Sequence, residues 1–314
     1  MDGPLPRWGL SSTIKAPLQE ILGFAAWHLD RGAHRLYIYL DDPESDAFDI
    51  LKAHPRIRVK RCNTVWWRNH GGKRPEKHQV RQTINATHAY ARKAEVDWLI
   101  HMDVDEFLWP ETTIAETLAK LPPDIMTVRV RPSEALAGTG KSYKAFIPTS
   151  PDRQGIIERL YPTFGLHLRG GFVSHTAGKV FVRTGLEGIK IRIHNAFRGQ
   201  EMNPGETETD HIALLHCHAR DWDDWLAHYR YRLQFGSYRS DLGALRPPEK
   251  GGMNLHDLFR WLEAEEGENG LRLFYDEVLS DAAGLPDRLR AEGLLRRHEL
   301  DITGTIRKHF PEMP

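Results

Sequence analysis

The stretch Trp98-Leu99-Ile100-His101-Met102-Asp103-Val104-Asp105-Glu106-Phe107-Leu108 decides the fold class. Trp98 to Met102 is a short apolar run of the kind that forms a strand buried on both faces. It leads directly into three carboxylates. Strand alternation carried past it would turn Asp103 and Asp105 to the same side. Two hard oxygen ligands so placed suit Mn2+ or Mg2+, and such a metal would carry a diphosphate. A solvated acidic turn is the plainer alternative, and the residues upstream decide between the two.

Upstream, strand and helix alternate. Leu10 to Lys15 reads as a first strand. Pro17 suits the first turn of a helix in which Leu18, Ile21, Leu22, Ala25 and Leu29 share one face, and Gly32 suits its end. Arg35 to Leu40 is a second strand, closed by Asp41-Asp42-Pro43. Asp46 to Ala53 reads as a short helix and Arg56 to Cys62 as a third strand. A basic loop from Arg68 to Arg74 precedes a long polar helix, Pro75 to Glu95. This rhythm predicts an α/β fold, a mostly parallel twisted sheet with helices on both faces. Ligands of such sheets lie beyond the carboxyl ends of the strands, where Asp41, Asp42, Asp103 and Asp105 all fall.

Further on, Ile125 to Val130 reads as a strand, and Gly178 to Arg183 with Ile189 to His194 as a hairpin. Ile212 to His218 is another strand. Trp222, Trp225, Tyr229 and Leu233 line one face of a helix running to Phe235. Arg246 to Gly252 has the Pro and Gly of a linker, and the chain from Leu255 is mostly helical. The expected division is an α/β domain over 8–240 and a helical extension over 253–314.

Composition excludes several classes. The 314 residues carry 43 Lys plus Arg against 43 Asp plus Glu, a balance that argues against a nucleic-acid coat. Only Cys62 and Cys217 are present, too few for a disulfide framework, which fits a reducing, cytoplasmic compartment. No run of about eighteen apolar residues predicts a membrane-spanning helix. Met1 to Trp8 lacks the apolar core of a signal peptide, so any membrane contact is expected to be peripheral.

Four segments resemble the glycosyltransferases of the GT-A fold, close to the family 2 type and its family 92-like relatives. They are Leu18 to Asp42, Gln82 to Leu108, Ile157-Glu158-Arg159-Leu160, and Leu215-His216-Cys217-His218 through Trp225. Two departures stand out: Cys217 replaces a usual Tyr, and Arg220 a usual Lys. The resemblance implies that Asp103 and Asp105 bind the metal and diphosphate, and that Asp42, with Asp41, contacts the donor base or ribose. It implies that His216 completes the metal sphere, with His194 and His218 as further candidates. It also implies transfer of a sugar from a nucleotide-sugar to a glycan or glycolipid hydroxyl, with inversion, in polysaccharide assembly.

Such a transfer needs a base for the acceptor hydroxyl. Glu134 and Glu158 are the candidates taken forward, beside Glu187 and Glu206, and the sequence leaves the choice open. Trp66-Trp67 is a candidate platform for a sugar ring. Ala135 to Ser142 nearly spells a P-loop, but lacks its first Gly and a following helix. The C-terminal helices would cap the domain or support a homodimer. The competing readings are a metal-dependent phosphoesterase or nucleotide hydrolase, built on Asp103, Asp105, His194 and His216, and a non-catalytic nucleotide-sugar binder.

Overall fold

The computed structural model describes residues 3–92, 95–244, 252–282 and 284–312. From the amino terminus the order is β1 (Trp8–Ile14), α1 (Leu18–Asp30), β2 (Arg35–Leu40), α2 (Ala47–Ala53), β3 (Ile57–Arg61), α3 (Thr64–Gly71), α4 (His78–Ala91), β4 (Trp98–His101), β5 (Glu106–Pro110), α5 (Ile114–Ala119) and β6 (Thr127–Ala135). There follow β7 (Ser142–Lys144), α6 (Arg153–Leu160), β8 (Lys179–Arg183), β9 (Ile189–Ile191), β10 (Ala196–Arg198), β11 (Glu201–Met202) and β12 (Glu206–His216). The last elements are α7 (Trp222–Phe235), α8 (Leu255–Glu266), α9 (Glu268–Val278), α10 (Leu285–Ala291), β13 (Leu295–Arg297) and α11 (Ile302–His309).

These elements form two compact units. The first holds the chain up to Arg131, Ala177–Leu214 and the residues from Asp301 onward; the second holds Pro132–Thr176 and Leu215–Leu300. The units therefore do not follow the expected 8–240 and 253–314 division. The reason for the tail is packing. Ile302 of α11 lies over Gly23 of α1, where a Cβ would stand 2.7 Å from its Cγ2, so only glycine lets the two helices approach. Lys308 pairs with Asp30 at 2.6 Å, and Phe310 joins the core of the first unit. The linker expected at Arg246–Gly252 lies, up to residue 251, outside the described residues.

In the first unit β3, β2, β1 and β4 pair parallel in that order, and β8 and then β6 add antiparallel beyond β4. This is the expected α/β architecture. Strand β2 shows how the sheet divides its two faces. Leu36, Ile38 and Leu40 enter one core with Ile21, Leu22 and Phe24 of α1, whereas Tyr37 and Tyr39 enter another with Trp66, Trp67, Ala86 and Ala89 of α3 and α4. The alternation of period two buries both faces, so helices cover both.

Two local readings change. The first part of the expected basic loop, Arg68–Gly71, is the end of helix α3, while Gly72–Arg74 stay irregular; α3 is begun by Asn63, whose side chain accepts the Trp66 N–H at 2.9 Å. Ile189–His194 does not form a hairpin with β8. Strand β8 already has β4 and β6 on its two sides and no edge to offer, so β9 pairs with β10, which pairs in turn with β11, in a small separate sheet.

Helix α4 is amphipathic in an unusual sense. Its buried residues include Arg81, Gln82 and Asn85 beside Ala86, Ala89 and Tyr90. Asn85 donates to Thr13 Oγ1 at 3.0 Å and to Cys62 Sγ at 3.5 Å, and accepts the Trp66 indole N–H at 3.1 Å. A buried polar side chain with partners on β1, past β3 and on α3 fixes the helix against the strand ends.

The second unit has its own apolar core, with Trp225 and Tyr229 of α7, Phe259 of α8 and Phe274 of α9. The near-P-loop at Ala135–Ser142 is the turn between β6 and β7, where Asp281 accepts from Thr139 N at 2.8 Å. Beside it a charge pair is sealed in. Glu134 and Lys144 stand directly opposite across β6 and β7, with Lys144 Nζ 2.8 Å from Glu134 Oε1 and both side chains at most 1% exposed. Ser174 Oγ donates to the other carboxylate oxygen at 2.5 Å, and Lys144 also donates to the Val278 carbonyl at 3.0 Å. Removing one partner strands the other charge. Glu134→Gln should therefore lower the stability of this unit by about 3–5 kcal/mol in urea unfolding, and Glu134→Gln with Lys144→Met should recover most of the loss. Equal stability of Glu134→Gln and the parent chain would contradict the sealed pair.

Candidate functional site

The first unit carries a pocket of about 630 Å³ lined by Lys15, Asp41, Asp42, Pro43, Cys62, Asn63, Thr64, Trp67, Arg68, Gly72, Lys73 and Arg74. Lys15 immediately follows β1, Asp41-Asp42-Pro43 follow β2, and Cys62-Asn63 follow β3. The pocket therefore opens at the carboxyl ends of three adjacent parallel strands, where α/β sheets bind ligands. Trp67 lines it, and its buried indole N–H has no hydrogen-bond partner among the described residues. Trp66 does not line it; it stacks on His70 at 3.7 Å and belongs to the core beneath.

The two aspartates at the end of β2 do different things. Asp41 is buried and taken up by cations. Arg81 grips it through Nε at 3.0 Å and Nη2 at 2.8 Å, Arg74 reaches it at 2.9 Å, and His78 lies 3.7 Å away. Burial alone would raise its pKa. The nearby His78, the Arg81 hydrogen bonds and the two guanidinium charges outweigh that, and hold the carboxyl well below the usual carboxylate range. Asp42 is partly exposed and accepts the Glu44 N–H at 3.0 Å in a tight turn. Of the pair, Asp42 is the one whose setting suits a ligand.

Two strands from β2, on the far side of β1, Asp103 follows β4. Val104 and Asp105 form a turn and Glu106 opens β5, so the acidic motif does not continue the strand and alternation does not set its orientation. The turn is closed by its own carboxylate, Glu106 Oε2 accepting the Asp103 N–H at 2.8 Å. Asp103 Oδ1 accepts from Gln82 of α4, and Asp103 Oδ2 from Lys179 Nζ at 2.6 Å. The same ammonium lies 3.2 Å from Glu106 Oε2. Lys179 and Glu106 are fully buried; Asp103 is partly exposed. Burial opposes both charges, but the mutual attraction prevails. The Asp103 carboxyl lies well below its usual range and the Lys179 ammonium is held above its own. Gly178 makes this possible. At φ +68° it brings β8 so close to Val130 that a Cβ would meet the carbonyl oxygen at 2.0 Å.

This donor set does not suit a divalent ion as it stands. A metal at ordinary contact with the Asp103 carboxylate would lie roughly 4 Å from the Lys179 ammonium. Charges of two and one at that spacing repel by about 8 kcal/mol at an effective dielectric of about 20. The ammonium, kept protonated by Asp103 and Glu106, would have to move first.

The remaining expected residues fall as follows. His194 stands in a bend rather than at a strand end. Its Nδ1 lies 3.0 Å from the Gly178 carbonyl, and its charge, when protonated, favours the Asp103 carboxylate. His216 ends β12 and His218 follows it, both buried in the second unit. The His216 ring lies 5.1 Å from that of His175, tilted to it, and 5.7 Å from that of His218, edge-on. His218 Nε2 lies 2.8 Å from the Tyr238 hydroxyl, and burial, then the Arg232 charge, push its pKa well below 6.5. That bond commits a metal-binding nitrogen to the core. Of the expected bases, Glu134 is the sealed partner of Lys144, a structural setting, and Glu158 is exposed on α6 with Gln154 donating to it at 3.0 Å.

Lys179, Arg81, Gln82 and Arg74 were not singled out from the sequence. A signal existed for Lys179: a lysine after Gly178 at the head of a strand whose next three residues, Val180, Phe181 and Val182, are apolar. Arg81 and Gln82 sit in a helix whose polarity reads as solvent exposure, although it is turned inward.

No family model and no curated protein matches the chain. Among solved structures it is similar to residues 1–349 of TarS from S. aureus, with 12% identity and a TM-score of 0.36, covering 98% of this chain and 91% of that one. It is also similar to the apo structure of WbbM, a bifunctional glycosyltransferase, with 12% identity and a TM-score of 0.28 over 58% of this chain and 32% of that one. At this distance the likenesses say nothing of substrate or activity, and the residues of the pocket carry the functional conclusion.

Proposed function

We propose that this chain is a glycosyltransferase that moves a sugar from a nucleotide-sugar to a hydroxyl acceptor in the assembly of a polysaccharide or other glycoconjugate. The observation that carries the reading is the pocket at the carboxyl ends of β1, β2 and β3, with Asp42 and Trp67 in its wall and Lys15, Arg68, Lys73 and Arg74 around them. A carboxylate suits the hydroxyls of a ribose or a base N–H, and the cations suit a diphosphate. In the transfer the acceptor oxygen bonds to the anomeric carbon as the bond to the diphosphate oxygen breaks. The nucleoside diphosphate leaves with the electron pair, and the acceptor proton passes to a base. By the sequence resemblance the anomeric centre inverts. The divalent cation implied by that resemblance is left out of this scheme, because Lys179 occupies the Asp103 carboxylate.

Incubation of the full chain with a panel of nucleotide-sugars tests the reading. Slow release of nucleoside diphosphate from one of them is expected. Turnover of phosphomonoesters without such release would favour a phosphoesterase instead.

The two aspartates should separate in variants. Asp42→Ala should weaken nucleoside diphosphate binding about tenfold in calorimetry, with little change in melting temperature, as loss of one hydrogen bond to a ligand would. Asp41→Asn should instead lower stability by roughly 3 kcal/mol, because Arg81 is left buried without its counter-charge. Since the Asp41 pKa is depressed, its contribution is present above the usual carboxylate range and is lost as pH falls through its folded pKa. The gap between Asp41→Asn and the parent chain should therefore be full at neutral pH and shrink below about pH 4. A gap independent of pH would contradict the ion-paired assignment.

A further inference from the structure

The acidic turn and the pocket beside it have opposite charge problems, and the chain answers both with its own side chains. At the turn, Asp103 and Glu106 converge on one ammonium, Lys179, which is fully buried and within 2.6 Å and 3.2 Å of them. In the pocket, Lys15, Arg68, Lys73 and Arg74 face two carboxylates, Asp41 and Asp42. Asp41 is already matched by Arg81 and Arg74. The lining thus presents a surplus of positive charge to whatever enters. Arg68 stands in the last turn of α3, Lys73 and Arg74 lie between α3 and α4, and Lys15 follows β1, so the cations reach the pocket from two sides. A diphosphate leaving group bears its charge on oxygens that accept from several donors at once, which suits guanidinium and ammonium groups as well as a metal.

We infer that the chain holds the donor diphosphate with Lys15, Arg68, Lys73 and Arg74 and binds it without a divalent cation, Lys179 standing as the fixed cation of the acidic turn. The inference rests on the donor pocket proposed above. Lys179 acts on Asp103 and Glu106 as a positioning residue, and the four pocket cations are the groups that would touch the diphosphate.

Two measurements on the full chain decide it. In calorimetry with uridine 5′-diphosphate and the other common nucleoside diphosphates, the best binder should bind in excess EDTA within about twofold of its affinity with Mn2+. Lys15→Ala with Lys73→Ala should weaken that EDTA-insensitive binding by more than about tenfold, and the binding should fall steeply with added salt. In Mn2+ titration followed by electron paramagnetic resonance, the parent chain should leave the ion free at micromolar concentrations. Lys179→Met, checked for its fold by circular dichroism, should gain Mn2+ binding by at least about tenfold, because Asp103 and Glu106 then lack their cation.

Binding of a nucleoside diphosphate only when Mn2+ is present would overturn the inference and leave the donor pocket standing. So would micromolar Mn2+ binding by the parent chain, or undiminished affinity in the double lysine variant. Binding of no nucleoside diphosphate, with or without Mn2+, would sink the donor pocket and the inference together.

Discussion

Carboxylates gathered at the ends of neighbouring strands repel one another unless cations meet them, and the first unit is organised around meeting them. Arg81 and Arg74 answer Asp41; Lys179 answers Asp103 and Glu106. In these pairs Asp41, Glu106 and Lys179 are buried and Arg81 nearly so, where attraction is strong but each charge has given up its water, while Arg74 reaches in from the surface and Asp103 is partly exposed. They are weak evidence for net stability. Their effect is on geometry: each carboxylate is held in one place, and Asp41 and Asp103 stay ionised far below neutral pH. The partly exposed Asp42, by contrast, is left with a backbone N–H and the pocket.

Helix α4 couples the two acidic strand ends. The adjacent residues Arg81 and Gln82 reach Asp41 and Asp103 respectively, and Asn85, one turn on, ties to Thr13 and Cys62. A single helix face thus touches residues on or just past β1, β2, β3 and β4. The apolar remainder of that face, Ala86 and Ala89, packs with Tyr37 and Tyr39 from the sheet. Rigid support of this kind under a pocket wall is what lets a few polar groups select a ligand.

The α/β rhythm was legible because both cores impose their period on the chain. Leu36, Ile38 and Leu40 alternate with Tyr37 and Tyr39, and the helix of Trp222 to Phe235 has the bounds its aromatic spacing predicts. The pocket was legible in part, through Asp41 and Asp42 at a strand end. What was not legible depended on partners distant in sequence. Whether Glu134 is a base or half of an ion pair is set by Lys144 across a hairpin. Whether Asp103 faces a metal or an ammonium is set by Lys179, 76 residues later. Whether the last helix joins the residues before it or those at the start of the chain is set by the missing Cβ of Gly23. None of these leaves a periodic trace, since each is a single contact rather than a repeated one.

The central claim is that a nucleoside diphosphate occupies the pocket at the carboxyl ends of β1, β2 and β3. A crystal structure of the chain with the bound nucleoside diphosphate tests it most directly. The account predicts density in that pocket, with the base beside Trp67 and Asp42 and the phosphates against Lys73 and Arg74. Ordered nucleotide elsewhere on the chain, with this pocket filled only by solvent, would contradict it.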